Sequence, residues 1–144
     1  MKFADMAYIF KQKINLADLA ALGQEPKKVL IYEPESELGA LYAHYLRAHN
    51  FDIRHCPYLA SIRQFIAEFE PHLLIFNAES SQALLEISRV SRNFPAGFPR
   101  LISTGYNLSG QKIGELMSAG VASHINRKLS RPQDLAILVE TILK

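Results

Sequence analysis

Six polar residues of this 144-residue chain stand where short apolar runs end. Glu33 and Glu35 follow Val29-Leu30-Ile31-Tyr32, and Asn77 follows Leu73-Leu74-Ile75-Phe76. Thr104 closes Leu101-Ile102-Ser103-Thr104, and Arg127 and Lys128 follow Ala122-Ser123-His124-Ile125-Asn126. Two carboxylates, one amide, one hydroxyl and one or other of two adjacent cations are the functional groups on offer. Arg127 and Lys128 beside Thr104 form a set able to hold a small anion. Asn77 brings no nucleophile, because its oxygen carries no formal charge and its nitrogen lone pair is delocalised. The rest of the chain offers no competing chemistry. There is no hydrolase triad, zinc spacing, glycine-rich phosphate loop or nucleic-acid motif. His44, His49, His55, His72 and His124 are dispersed, and the closest pair, His44 and His49, does not share a helical face.

The elements that position these residues alternate. Lys27–Tyr32 carries a short, continuously apolar run from Val29, as suits a strand buried on both faces. Leu38, Leu41, Tyr42, Tyr45 and Leu46 form one stripe of a helix from about Ser36 to His49, and Asn50 suits its left-handed end. Phe51–Cys56 alternates as a second strand, and Leu59, Ile62, Phe65, Ile66 and Phe69 stripe a second helix ahead of Pro71. The strand ending at Asn77 precedes a helix from about Ser81 to Phe94, then Leu101–Thr104. Next come a short helix from Gln111 to Ala119, closed by Gly120, and a weakly apolar edge strand, Ala122–Asn126. A last helix carries Leu135, Leu138, Val139 and Ile142, with Ser130 and Gln133 spaced as a capping box. Five strands alternating with five helices imply an α/β, doubly wound, five-stranded parallel sheet covered on both faces. Sites in such sheets lie at the carboxyl ends of the strands, where the strand order switches. The six polar residues all fall there.

Composition narrows the field. The chain is 49 % hydrophobic and 21 % charged, with a formal charge of +2 and scattered Lys and Arg, which argues against nucleic acid. No apolar run approaches the roughly 20 residues of a membrane helix, so membrane insertion is not expected. A lone Cys56 without a signal peptide points to the reducing cytoplasm.

From Lys27 to Lys144 the chain resembles response-regulator receiver domains, the bacterial fold of the chemotaxis response regulator. Val29-Leu30-Ile31-Tyr32-Glu33-Pro34-Glu35 is similar to the first strand with its acidic metal-binding cluster. Pro71-His72-Leu73-Leu74-Ile75-Phe76-Asn77 resembles the strand that ends in the phosphoacceptor, and Pro99–Gly105 the strand that ends in the phosphate-sensing Ser or Thr, here Thr104. Ser118–Ile125 is similar to the segment before the catalytic lysine. The resemblance implies a flavodoxin-like strand order, 2-1-3-4-5. It also implies a degenerate phosphoacceptor pocket made of Glu33, Glu35, Asn77, Thr104, Arg127 and Lys128. Asn77 stands where the family has its aspartate, and Pro34 where it often has a second one. Magnesium binding by Glu33 and Glu35 is therefore expected to be weak at best, with no other cofactor. Strict spacing from Gly120 puts Arg127 at the lysine position, and a one-residue slip puts Lys128 there. The aromatic switch position falls on His124, an edge-strand histidine that solvation alone would also explain. Thr104 either hydrogen-bonds locally, to Asn77 or as a strand cap, or retains the switch role.

Residues 1–26 lie outside this pattern and form an N-terminal helical extension to the receiver-like domain, 27–144. Phe3, Met6, Ala7, Phe10 and Ile14 share one helical face, and Asn15 starts a shorter helix to Leu22. Helices this short need a partner surface. It is this chain's own domain, a homodimer or other protein, or a membrane surface. The expected function is that of a pseudo-receiver, not an enzyme, that regulates two-component-type signalling through protein contacts without being phosphorylated. The partner would be another chain, a signalling or output protein, meeting by resemblance Gln111–Ala119, Ser123–Asn126 and Pro132–Lys144. The alternatives are sensing of an anion or small ligand in the crevice, and residual phosphorylation on Glu33, Glu35 or Ser80.

Overall fold

A computed structural model describes residues 25–93 and 99–143. The expectations for the helical faces before Glu25 lie outside the described residues. The elements run β1 (Lys28–Tyr32), α1 (Ser36–Ala48), β2 (Asp52–Cys56), a 3-10 turn (Leu59–Ser61) leading into α2 (Ile62–Phe69), and β3 (Leu73–Asn77). They continue as α3 (Ser81–Asn93), β4 (Arg100–Gly105), α4 (Gly110–Ser118), β5 (Ser123–Asn126) and α5 (Pro132–Leu143). All neighbouring strands pair parallel, in the order β2-β1-β3-β4-β5. Both the alternation and the strand order agree with the sequence reading.

The central strands are buried on both faces, which is why they read as unbroken apolar runs. Leu30, Tyr32, Leu74 and Phe76 face α2, α3 and α4, meeting Ile62, Ile66, Ile87 and Leu116. Val29, Ile31, Leu73 and Ile75 face α1 and α5, meeting Tyr42, Leu46, Leu135 and Val139. β5 is half-buried throughout, as an edge strand should be. The helix ends explain themselves locally. Asn50 (φ 65°) and Gly120 (φ 100°) take the left-handed positions, and Glu70 (φ 52°) closes α2 in the same way.

Three local expectations change. The buried stripe of α1 is Gly39, Tyr42, Ala43 and Leu46, while Leu41 faces solvent: small residues, not only large ones, lie against the sheet. Met117 is likewise exposed, and Leu116 alone anchors α4. The cap of α5 lies one residue later than Ser130 and Gln133. Pro132 is suited to the first helical position, so Asp134 reaches back to the Arg131 N–H at 2.8 Å.

Candidate functional site: the crevice at Asn77

The strand order switches between β1, whose connection leads outward to β2, and β3, whose connection leads to β4. The ends of these two strands deliver Glu33 and Asn77 to the crevice. The Glu33 N–H still donates to the Cys56 carbonyl at 3.2 Å, so this residue continues the pairing of β1 with β2. Glu33 as a whole is only 1 % exposed, so its carboxylate is buried. It accepts the Glu35 N–H at 2.9 Å and the Asn77 amide at 3.0 and 3.3 Å. From the far side, His55 Nε2 meets the Glu33 carbonyl at 2.8 Å, with its ring lying over Gly39 of α1.

Asn77 is buried, and both ends of its amide are used. Nδ2 also donates to Glu79 Oε2 at 3.2 Å, and Oδ1 accepts the Glu79 N–H at 2.9 Å. The second bond is the local turn that Asn side chains make two residues ahead. Glu79 Oε2 further accepts Arg127 Nη1 at 3.0 Å, and Oε1 accepts the Tyr106 N–H at 3.1 Å. The other Arg127 nitrogen lies 3.8 Å from Glu35 Oε2.

Arg127 reaches this position because its N–H donates to the Gly105 carbonyl at 2.8 Å, one step past the end of β5. Lys128 turns away, exposed, with its N–H on Asn126 Oδ1 at 2.9 Å. Of the two adjacent cations, it is Arg127 that enters the crevice. Thr104 is buried opposite Asn77 in the sheet register, and its carbonyl accepts the Ala78 N–H at 2.8 Å. The Asn77 amide spends its bonds on Glu33 and Glu79 and not on the Thr104 hydroxyl. His124 is not a solvated edge residue. Its Nδ1 lies 2.7 Å from Ser103 Oγ, its Nε2 is buried without a partner among the described residues, and burial pushes its pKa down.

Two contributors were missed by sequence reasoning. Glu79 sits in the β3–α3 connection, outside any periodic pattern. Tyr42 was read as core, and its ring is core, but its hydroxyl lies in the field of the crevice. Burial pushes its pKa up to about 12; Arg127 opposes that rise, while Glu33, Glu35 and Glu79 add to it.

The chemistry on hand is therefore a closed network of three carboxylates, one amide and one guanidinium. The donor set does not fit a divalent cation: an amide replaces one acidic ligand, and a guanidinium lies against two of the remaining carboxylates. An anion at Arg127 would meet the same carboxylates. Among the described residues no helix is long and apolar enough to cross a membrane.

No protein-family model and no curated protein matches this sequence. Solved structures do match. A response regulator from Thermotoga maritima superposes with a TM-score of 0.73 at 17 % identity, over 82 % of this chain and 98 % of that one. HP1043, an orphan response regulator of H. pylori, gives 0.72 at 16 % identity, over 82 % and 97 %. The signal receiver domain of a LuxO repressor protein from Vibrio parahaemolyticus gives 0.69 at 22 % identity, over 82 % and 90 %. The chain thus has the fold of the response-regulator receiver domains of two-component signalling.

Proposed function

We propose that this protein is a pseudo-receiver: a regulatory module that uses the receiver fold to contact another protein and is not itself switched by phosphorylation at the crevice. One observation carries this reading. Asn77, at the end of β3, is hydrogen-bonded through its amide to Glu33 and Glu79 and offers no nucleophile to phosphorus. Phosphoryl transfer to a side chain needs a nucleophile with an available lone pair and a cation to neutralise developing charge. Here the amide supplies neither, and Arg127 is already neutralising Glu79 and Glu35. The crevice then acts as a clasp. It joins the ends of β1, β3 and β5 in one fixed arrangement, and the partner reads a constant surface on α4, β5 and α5. Magnesium binds weakly at best in this reading, and the protein works in the cytoplasm.

The test is direct. The full chain is incubated with a small phosphodonor and magnesium and then weighed intact. The expected result is an unchanged mass. A stoichiometric phosphate adduct at any residue overturns the reading, and its location would separate a residual acceptor at Glu33, Glu35 or Ser80 from an unforeseen one.

A further inference from the structure

The 3-10 turn before α2 and the outer side of α3 enclose a groove of about 490 Å³, lined by Leu59, Ala60, Gln82, Leu85, Glu86 and Arg89. None of these residues takes part in the Asn77 network. α3 already buries Ala83, Ile87 and Val90 against the sheet, so Leu85, 54 % exposed, is surplus to the core. Tyr58, 70 % exposed, stands just before the same 3-10 turn. Leu85 thus borders the concavity as an exposed apolar side chain, and Tyr58 is a second one next in sequence to the lining residue Leu59.

The charges around the groove say what would cover it. Arg63 Nε bonds one oxygen of Glu86 at 2.8 Å, and Arg89 lies 3.9 Å from the other. One carboxylate serves two guanidiniums, which leaves one positive charge over. Arg92, one turn further along α3 and outside the groove lining, is a further exposed cation, whose Nε donates to the Ser88 carbonyl. The nearest acid on α2, Glu68, accepts from Gln64. The apolar side chains of Leu59, Ala60 and Leu85 beside a guanidinium in excess of its shared carboxylate are complementary to an apolar side chain with a carboxylate next to it. We propose that this groove docks an acidic amphipathic segment of a partner protein, with its apolar anchor on Leu59 and Leu85 and its carboxylate on Arg89. This surface is separate from α4, β5 and α5, so the inference does not depend on the pseudo-receiver reading.

The experiment selects random peptides of about twelve residues, displayed on phage, against the intact chain. Affinities of the enriched peptides are then measured by fluorescence anisotropy on the wild type and on Leu85→Ser, Arg89→Glu and Arg89→Lys. Both side chains, Leu85 and Arg89, are on the surface, and thermal melts check that the variants remain folded. Enriched peptides should pair apolar with acidic residues. Leu85→Ser and Arg89→Glu should each weaken binding at least tenfold, while Arg89→Lys keeps most of it. The proposal is overturned by no enrichment, by peptides without acidic residues, or by binding that ignores both variants. It is also overturned by peptides that reproduce the pattern of Phe3, Met6 and Phe10, which would assign the groove to this chain's own first residues.

Discussion

Arg127 and Asn77 donate to the same oxygen of the Glu79 carboxylate, at 3.0 and 3.2 Å. Glu79 therefore couples the end of β5 to the end of β3, and Asn77 passes the connection on to Glu33 at the end of β1. An aspartate at position 77 would have no N–H to give to either acid. The amide is the residue type that can donate to two neighbouring carboxylates at once, where an aspartate would set a third acid between them.

This makes Asn77→Asp informative. The change replaces a donor by a third carboxylate facing Glu33 and Glu79, with one guanidinium in reach. Stability at neutral pH should fall by roughly 3 kcal/mol, the scale for a buried charge that loses its partner. The single change should not give rapid, magnesium-dependent labelling by a small phosphodonor, because Arg127 and Pro34 remain as they are. Urea unfolding and intact mass measure the two effects. Fast stoichiometric labelling of the variant would show that the rest of the site is functional and that broad degeneration is the wrong description.

Arg127→Ala removes the cation that serves Glu79 and Glu35. The guanidinium is largely enclosed but Glu79 is not, so solvent screens part of the effect, and a loss of about 1–2 kcal/mol is expected. Arg127→Lys should recover less than half, because a compact ammonium cannot reach both carboxylates as the planar fork does. A double-mutant cycle with Glu79→Gln should give a coupling of about 1 kcal/mol. A coupling near zero would mean that the pair is a surface contact without consequence.

Most of this network was legible in the sequence, and the reason is the sheet. Continuous apolar runs mark where the strands end, and strand ends are where Glu33, Asn77 and Arg127 of the network, and Thr104 beside it, had to lie. Glu79 escaped notice because it sits in a connection, where neither periodicity nor a neighbouring apolar run singles out one acid. The choice between Arg127 and Lys128 was beyond sequence reasoning. It rests on one backbone bond to Gly105 that carries the strand pairing a residue further. Tyr42 shows a different limit. A helical stripe reveals which ring is buried, but not that its hydroxyl end emerges among charges. Gly39 was invisible to a reading that counted only large apolar residues.

Two histidines, His124 and His72, should contribute to the acid side of the stability curve. Burial lowers the pKa of His124, and burial reinforced by Lys27 and Lys28 lowers that of His72. His72 Nδ1 also accepts the Lys28 N–H at 2.9 Å, a role that only the unprotonated nitrogen can fill. The folded chain resists protonation at both sites, so the unfolded chain takes up protons first. Stability is then fully present above the ordinary value of 6.5 and falls as pH drops below it, until the folded-state values are passed. Urea midpoints between pH 7.5 and 5 should decline in the wild type. They should decline less in His124→Phe and in His72→Gln, and least in the double variant. An equal decline in all four would place the acid lability elsewhere.

Gly39 is the residue whose replacement best separates helix propensity from packing. It lies inside α1, where alanine would ordinarily stabilise by about 1 kcal/mol. A Cβ at this position, however, would come within 2.2 Å of the His55 ring. That ring cannot simply swing away, because Nε2 is held by the Glu33 carbonyl at 2.8 Å. Overpacking of this kind costs about 1–3 kcal/mol, so Gly39→Ala should destabilise despite its better propensity. Removing the ring reverses the sign: in a His55→Ala background, Gly39→Ala should stabilise by up to about 1 kcal/mol. Thermal melts of the four proteins test both signs. If Gly39→Ala stabilises the wild-type background, His55 is not pinned between α1 and Glu33, and the β1 end of the crevice is looser than the geometry describes.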